Sequence, residues 1–184
     1  MKVRARPRYG TPRRRSIGCC PLAIAVSILL GCGAGSALTD VEKLARVREM
    51  VAALEKRYPD VGTITVDEVG LLLEKDSVVL VDVRDVKERQ VSMIPGSISA
   101  QEFEANEDRY SGVAVVAYCT IGHRSSEYAQ QLSQRGRRVL NLSGSILAWA
   151  HAGGPLVVNG EATRTLHVYG SSWNLAPNRY ETIW

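Results

Sequence analysis

Apolar positions along the chain fall into two periods. Val41, Leu44, Val47, Val51, Leu54 and Tyr58 recur at helical spacing. They follow Thr39-Asp40-Val41-Glu42, which has the form of a capping box, so the pattern predicts an amphipathic helix over 40–58, ended by Pro59-Asp60. Thr65 is placed to cap a second, shorter helix through Leu73. Residues 78–83, 113–118 and 139–142 are short apolar runs instead. The first two are apolar at successive positions, as in strands buried on both faces of a parallel sheet. Between them, 86–91 predicts a helical turn, 93–98 a turn leading into a short strand, and the acidic stretch 103–110 a surface segment. After residue 118, Ser125 or Ser126 can cap a helix carrying Tyr128, Ala129 and Leu132, with Gly136 past its end. Gly144 opens another helix over 146–151, which Gly153-Gly154-Pro155 stops. Strands alternating with helices predict an α/β fold with a central, mostly parallel sheet flanked by helices.

Charge divides the 184-residue chain unevenly. Seven of its 23 basic residues precede residue 32, with no acidic residue among them. The remainder holds 16 basic against 19 acidic residues, so the formal charge of +4 belongs to the N-terminus and gives no reason to expect nucleic acid. The basic stretch 1–15 leads into the apolar run 17–30, the order of an export signal. Leu29-Leu30-Gly31-Cys32 resembles a bacterial lipobox, which implies lipidation of Cys32, and Gly33-Ala34-Gly35-Ser36 follows as a flexible tether. Cleavage at Gly35-Ser36-Ala37 and an uncleaved anchor over 17–38 are the other two fates. All three put the basic end in the cytoplasm and the domain on the exported side, in two of them tethered to the membrane. The pattern divides the chain into a signal and tether over 1–38, a helix over 39–61, an α/β domain over 62–160 and an extension over 161–184. The extension holds Tyr169, Trp173, Tyr180 and Trp184 in a polar background. So many aromatics predict packing on the domain, and the pattern does not say on which face.

The chemistry concentrates at Cys119-Thr120-Ile121-Gly122-His123-Arg124-Ser125, between the second strand run and its helix. Cys19 and Cys20 lie in the signal and Cys32 is taken if lipidated, so Cys119 is the only thiol of the domain. Neither a disulfide within the domain nor a zinc-ligand cluster is expected. A cysteine on a strand-to-helix turn faces free helical N–H groups, and Arg124 adds positive charge. Both stabilise a thiolate and make Cys119 a candidate nucleophile rather than a buried small hydrophobe. Parallel strands would bring Asp82 and Arg84, at the end of 78–83, to the same sheet edge.

Five pieces in order resemble the rhodanese-like domain family: 80–84, Glu88, Ile94-Pro95-Gly96-Ser97, 118–125, and 142–149. The resemblance covers about 64–158 and implies a sulfurtransferase. Cys119 would take sulfane sulfur from a donor such as thiosulfate or polysulfide, hold it as a persulfide, and pass it to cyanide or a thiol. It implies no cofactor or metal. It makes Cys119 and Arg124 the catalytic residues, and Thr120, Ile121, Gly122, His123, Ser125 and Arg84 substrate-binding residues with Asp82 in support. Asp82 and Arg84 have an equal alternative as a structural ion pair. Four residues separate Cys119 from Arg124, one fewer than in phosphatases of this fold. Two departures stand out: Ser92-Met93 replace the family's frequent Gly-His, and Thr120 and Ile121 stand where thiosulfate-specialised members carry basic residues. A non-catalytic persulfide carrier or partner-docking module is the alternative reading.

Overall fold

The computed structural model describes residues 37–184, so the basic segment, its apolar run and Cys32 lie outside the described residues. Helix α1 (Asp40–Arg57) opens with the expected reciprocal cap. The Glu42 N–H donates to Thr39 Oγ1 at 3.3 Å, and the Thr39 N–H donates back to the Glu42 carboxylate at 2.7 Å. Thr65 and Glu68 repeat the device at the start of α2 (Val66–Leu73). Among the described residues no helix is long and apolar enough to cross a membrane.

Five parallel strands form the central sheet: β1 (Thr63–Ile64), β2 (Val78–Asp82), β3 (Ile98–Ser99), β4 (Ala114–Tyr118) and β5 (Leu140–Leu142). Their order is β1-β5-β4-β2-β3, so β4 lies in the middle. Side chains alternate between the two faces of the sheet. Val79, Val81, Val115 and Ala117 point to one core, shared with Phe103 of α4 (Ala100–Ala105) and with Ala129 and Leu132 of α5 (His123–Gln134). Leu80, Val116, Tyr118 and Leu142 point to the other, shared with Val47 of α1, Val69 of α2, and Ile146 and Leu147 of α6 (Ser145–His151). The stretch 103–110, expected at the surface, departs from that expectation. Phe103 is fully buried, because a single large apolar residue in an acidic segment suffices to anchor α4 to the sheet.

The segment beyond α6 belongs to the second core. Strand β8 (Thr165–His167) pairs in parallel with β9 (Glu181–Ile183), after a small hairpin of β6 (Val157–Val158) and β7 (Glu161–Ala162). Leu166, Val168, Leu175 and Ala176 are buried with the residues of α1 and α6.

The ends of β2 and β4 are joined by a buried polar network. Register sets Asp82 beside Tyr118. The Tyr118 hydroxyl donates to Asp82 Oδ2 at 2.7 Å and accepts the Ile94 N–H at 3.2 Å. Arg84 donates to both Asp82 oxygens, at 2.9 and 2.7 Å, and to the Ser92 carbonyl at 2.6 Å. Burial, with the Asp82 charge beside it, pushes the Tyr118 phenol well above its ordinary range, so it stays a donor. The short helix α3 (Val86–Arg89) follows directly, so this network fixes where Glu88 sits.

Neutralising Asp82 leaves the Arg84 guanidinium buried without its counter-charge. Asp82→Asn is expected to destabilise the fold by about 3–5 kcal/mol, read as a lower urea midpoint at unchanged slope. A loss below about 1 kcal/mol would mean that the pair contributes no more than a surface ion pair does.

Candidate active site

Strand β4 delivers Cys119 to the C-terminal edge of the sheet, and the chain curls at once into α5. The helix begins at His123, with Gly122 as its cap at φ 122°, earlier than the expected Ser125 or Ser126 cap. No side chain caps it. The Gly122 N–H points inward and donates to Cys119 Sγ at 3.2 Å. A side chain at Gly122 would be strained by the positive φ, and its Cβ would lie 3.2 Å from the Asn141 amide. Ser126 instead returns its hydroxyl to the Gly122 carbonyl, at 2.7 Å.

Helix α6 holds the loop from outside. Its Ile146 and Leu147 N–H groups donate to the carbonyls of Cys119 and Thr120, at 3.2 and 3.3 Å. The Cys119 N–H donates to Ser145 Oγ at 3.1 Å. Gly144 and Ser145 both have positive φ, 72° and 49°, and a Cβ at Gly144 would sit 2.6 Å from that of Ala148. With those two carbonyls held by α6, the N–H groups of Gly122 and Ser125, farther along the loop, face the sulfur.

Cys119 is 2% exposed and reached through a cavity of ≈ 270 Å³. Thr120, Ile121, His123 and Arg124 line that cavity together with Tyr169 and Trp173, and Gly122 does not. Ser125 is not at the mouth but behind the sulfur, 3.6 Å from Sγ, with its hydroxyl also donating to Asn141 Oδ1 at 2.6 Å. Burial pushes the thiol up. The Ser125 hydroxyl, the N–H groups of Ser125 and Gly122, and the Arg124 charge outweigh it, so Cys119 is held below the ordinary thiol range.

Arg124 does not stand free. Glu88, itself buried, takes it in a two-pronged ion pair at 2.6 and 2.9 Å, and Arg124 also reaches Thr120 Oγ1 at 3.2 Å. Burial pushes the Glu88 carboxyl up. Hydrogen bonds and charge from Arg124, with the Asp85 N–H, outweigh it and hold the group below the usual carboxylate range. His123 lies at the rim with Nε2 3.3 Å from the Tyr58 hydroxyl, at the end of α1. Arg84 and Asp82 are not brought to the mouth. Their side chains have no exposure, and of the two expected placements the structure takes the buried ion pair beneath the site.

The sequence pattern did not assign Glu88, Asn141, Ser145, Tyr169 or Trp173 to the site. Asn141 left a signal, a polar residue inside an apolar strand. The two aromatics left none beyond their type, since nothing local says which face a tail covers.

Residues 65–152 match the rhodanese-like domain family. A protein of Allochromatium vinosum named a sulfurtransferase is 39% identical over 94 residues, spanning 47% of this chain and 84% of that one. An uncharacterised protein of Synechocystis is 33% identical over 99 residues, 52% of this chain and 55% of the other. The solved structure of a thiosulfate sulfurtransferase from Pseudomonas aeruginosa shares the fold at a TM-score of 0.51 and 24% identity, covering 67% of this chain and 24% of that one. Tyr169 and Trp173 lie beyond the residues matched to the family.

The single Ser125 hydroxyl proton is shared between Asn141 Oδ1 and the sulfur, and its turn toward Sγ favours the ionised form, so removing it raises the thiol pKa. Alkylation of Cys119 by iodoacetamide is expected to rise with pH through a midpoint below the ordinary thiol range, and Ser125→Ala is expected to move that midpoint up. An unmoved midpoint would remove Ser125 from the stabilisation of the thiolate.

Proposed function

The chain belongs to the rhodanese-like sulfurtransferase family, and from that premise we propose that it moves sulfane sulfur through a persulfide on Cys119. The observation that carries this is the sulfur itself: a recessed thiol, the only one among the described residues, receiving the Gly122 N–H and the Ser125 hydroxyl at the floor of a cavity. The Cys119 thiolate attacks the terminal sulfur of the donor. An Sγ–S bond forms, the donor's S–S bond breaks, and its electron pair leaves with the departing group, sulfite in the case of thiosulfate. An acceptor nucleophile, cyanide or a thiolate, then attacks the outer sulfur and returns the electron pair to Sγ. Donors ranging from thiosulfate to polysulfide are compatible with this chemistry.

Inward N–H groups stabilise negative charge on the persulfide as they do on the thiolate, and they need no reorientation between the two states. Arg124 supplies field from the side and is kept in place by Glu88. A docking surface gains little from a thiol 2% exposed, which favours chemistry over the carrier-module reading.

We further propose that the domain acts on the exported side of the membrane, tethered through a lipid on Cys32. The basic-then-apolar order of 1–30 and the Leu29-Leu30-Gly31-Cys32 motif support this.

The full chain, incubated with thiosulfate or with polysulfide and weighed intact, is expected to gain one sulfur, about 32 Da. The gain is expected to be lost on adding cyanide and absent from Cys119→Ser. No gain with either donor, from folded protein with a titratable thiol, overturns the persulfide route. For the tether, mass spectrometry of the membrane fraction is expected to find a lipid-modified Cys32 as the new N-terminus. An unmodified Cys32 thiol, or a chain starting at Leu38, overturns it.

A further inference from the structure

The wall facing the cysteine loop comes from the tail. Before it, Leu166 and Val168 are fully buried, with the Val168 N–H donating to the Ile183 carbonyl at 2.8 Å. After it, Leu175 and Ala176 are buried in the same core. The span between them is therefore held at both ends. It carries Tyr169 and Trp173, whose rings meet edge-on with centroids 6.1 Å apart. The Arg124 guanidinium carbon lies 5.3 Å from the Tyr169 ring centroid, so the loop grips the wall as well. Tyr169 is nevertheless 63% exposed. A large aromatic ring is thus fixed in position over the cavity while much of its surface stays uncovered.

The electrostatics of the cavity point the same way. Arg124 is its one guanidinium, and Glu88 offsets that charge through both prongs. Loop N–H groups remain to receive a single anionic end, while Ile121, Tyr169 and Trp173 offer apolar surface above it. A compact dianion such as thiosulfate finds little opposing charge and no use for the rings. A donor with one anionic sulfur end on an apolar body matches both halves of the cavity.

We propose that Tyr169 and Trp173 determine the specificity of this site, selecting a small organic donor whose anionic sulfane group is carried on an aromatic or bulky apolar body. This rests on the persulfide reading above. For a thiosulfonate, the Cys119 thiolate attacks the terminal sulfur and the Sγ–S bond forms. The bond to the sulfonyl sulfur breaks, and its electron pair leaves with the sulfinate. For an organic persulfide the same step releases a thiolate. Neither needs a further oxidant or reductant.

The test uses the full chain and two donors of equal charge, benzenethiosulfonate and methanethiosulfonate, with single-turnover loading of Cys119 followed by intact mass. The benzene-to-methane rate ratio is divided by the same ratio for free cysteine, which removes the difference in leaving group. The corrected ratio is expected to be about tenfold, the size of one to two aromatic contacts. Tyr169→Ala and Trp173→Ala are each expected to reduce it to about threefold or less, and Trp173→Phe to retain it. Unfolded molecules react as free cysteine and pull the ratio toward one, so each variant is compared only where its far-UV circular dichroism and its urea midpoint show it folded, with Trp173→Phe as the control that keeps a ring. A corrected ratio near one in the wild-type protein, or one that survives both alanine variants, overturns the assignment. No adduct with either donor is a different failure: it brings down the persulfide reading and this inference with it.

Discussion

The site depends on two hydrogen bonds that never touch the sulfur. By donating to the carbonyls of Cys119 and Thr120, the first N–H groups of α6 decide which way the loop's peptide planes turn. A peptide whose C=O points out presents its N–H on the opposite side. The N–H groups opposite those two carbonyls are those of Thr120 and Ile121, and next along the loop the Gly122 N–H points inward to the sulfur and helps to lower the thiol. Gly144 and Ser145, both at positive φ, bring α6 close enough to make these bonds. The backbone of 144–145 is thus as much a part of the anion site as the loop.

Two arginines show how burial separates residues that look alike in sequence. Arg84 and Arg124 each meet a carboxylate in a two-pronged pair. Arg84 sits wholly beneath the site, where its pair with Asp82 and the Tyr118 hydroxyl ties β2 to β4. Arg124 keeps one flank at the cavity and reaches both the loop and the tail. Glu88 mediates between these levels. It starts from the helical turn that Arg84 anchors and ends on Arg124, so the lower network sets the position of the upper charge.

Much of this was legible in the chain. One capping box, one capping threonine and three apolar runs placed α1, α2, β2, β4 and β5, because those signals are local. The rhodanese-like resemblance located the loop and identified its cysteine. The start of α5 falls earlier than the two serines suggest because its cap is Gly122 at positive φ, with no side-chain oxygen to mark the position. Phe103 was misread because one buried ring among acidic residues has no periodicity to reveal it. The placement of Tyr169 and Trp173 was illegible in principle. It depends on contacts with residues about fifty positions away, which composition does not encode.

The cavity is walled by residues that follow Cys119 by fifty positions or more, and its rim is braced by Tyr58, sixty positions earlier. A chain emerging N-terminus first therefore has its brace, then its nucleophile, and only last its cover. Until residues 169–173 exist, the thiolate-stabilising loop is open to any passing oxidant or electrophile. Synthesis order thus leaves an interval in which the cysteine is unguarded, and it closes only when the tail docks with Leu166 and Val168 buried.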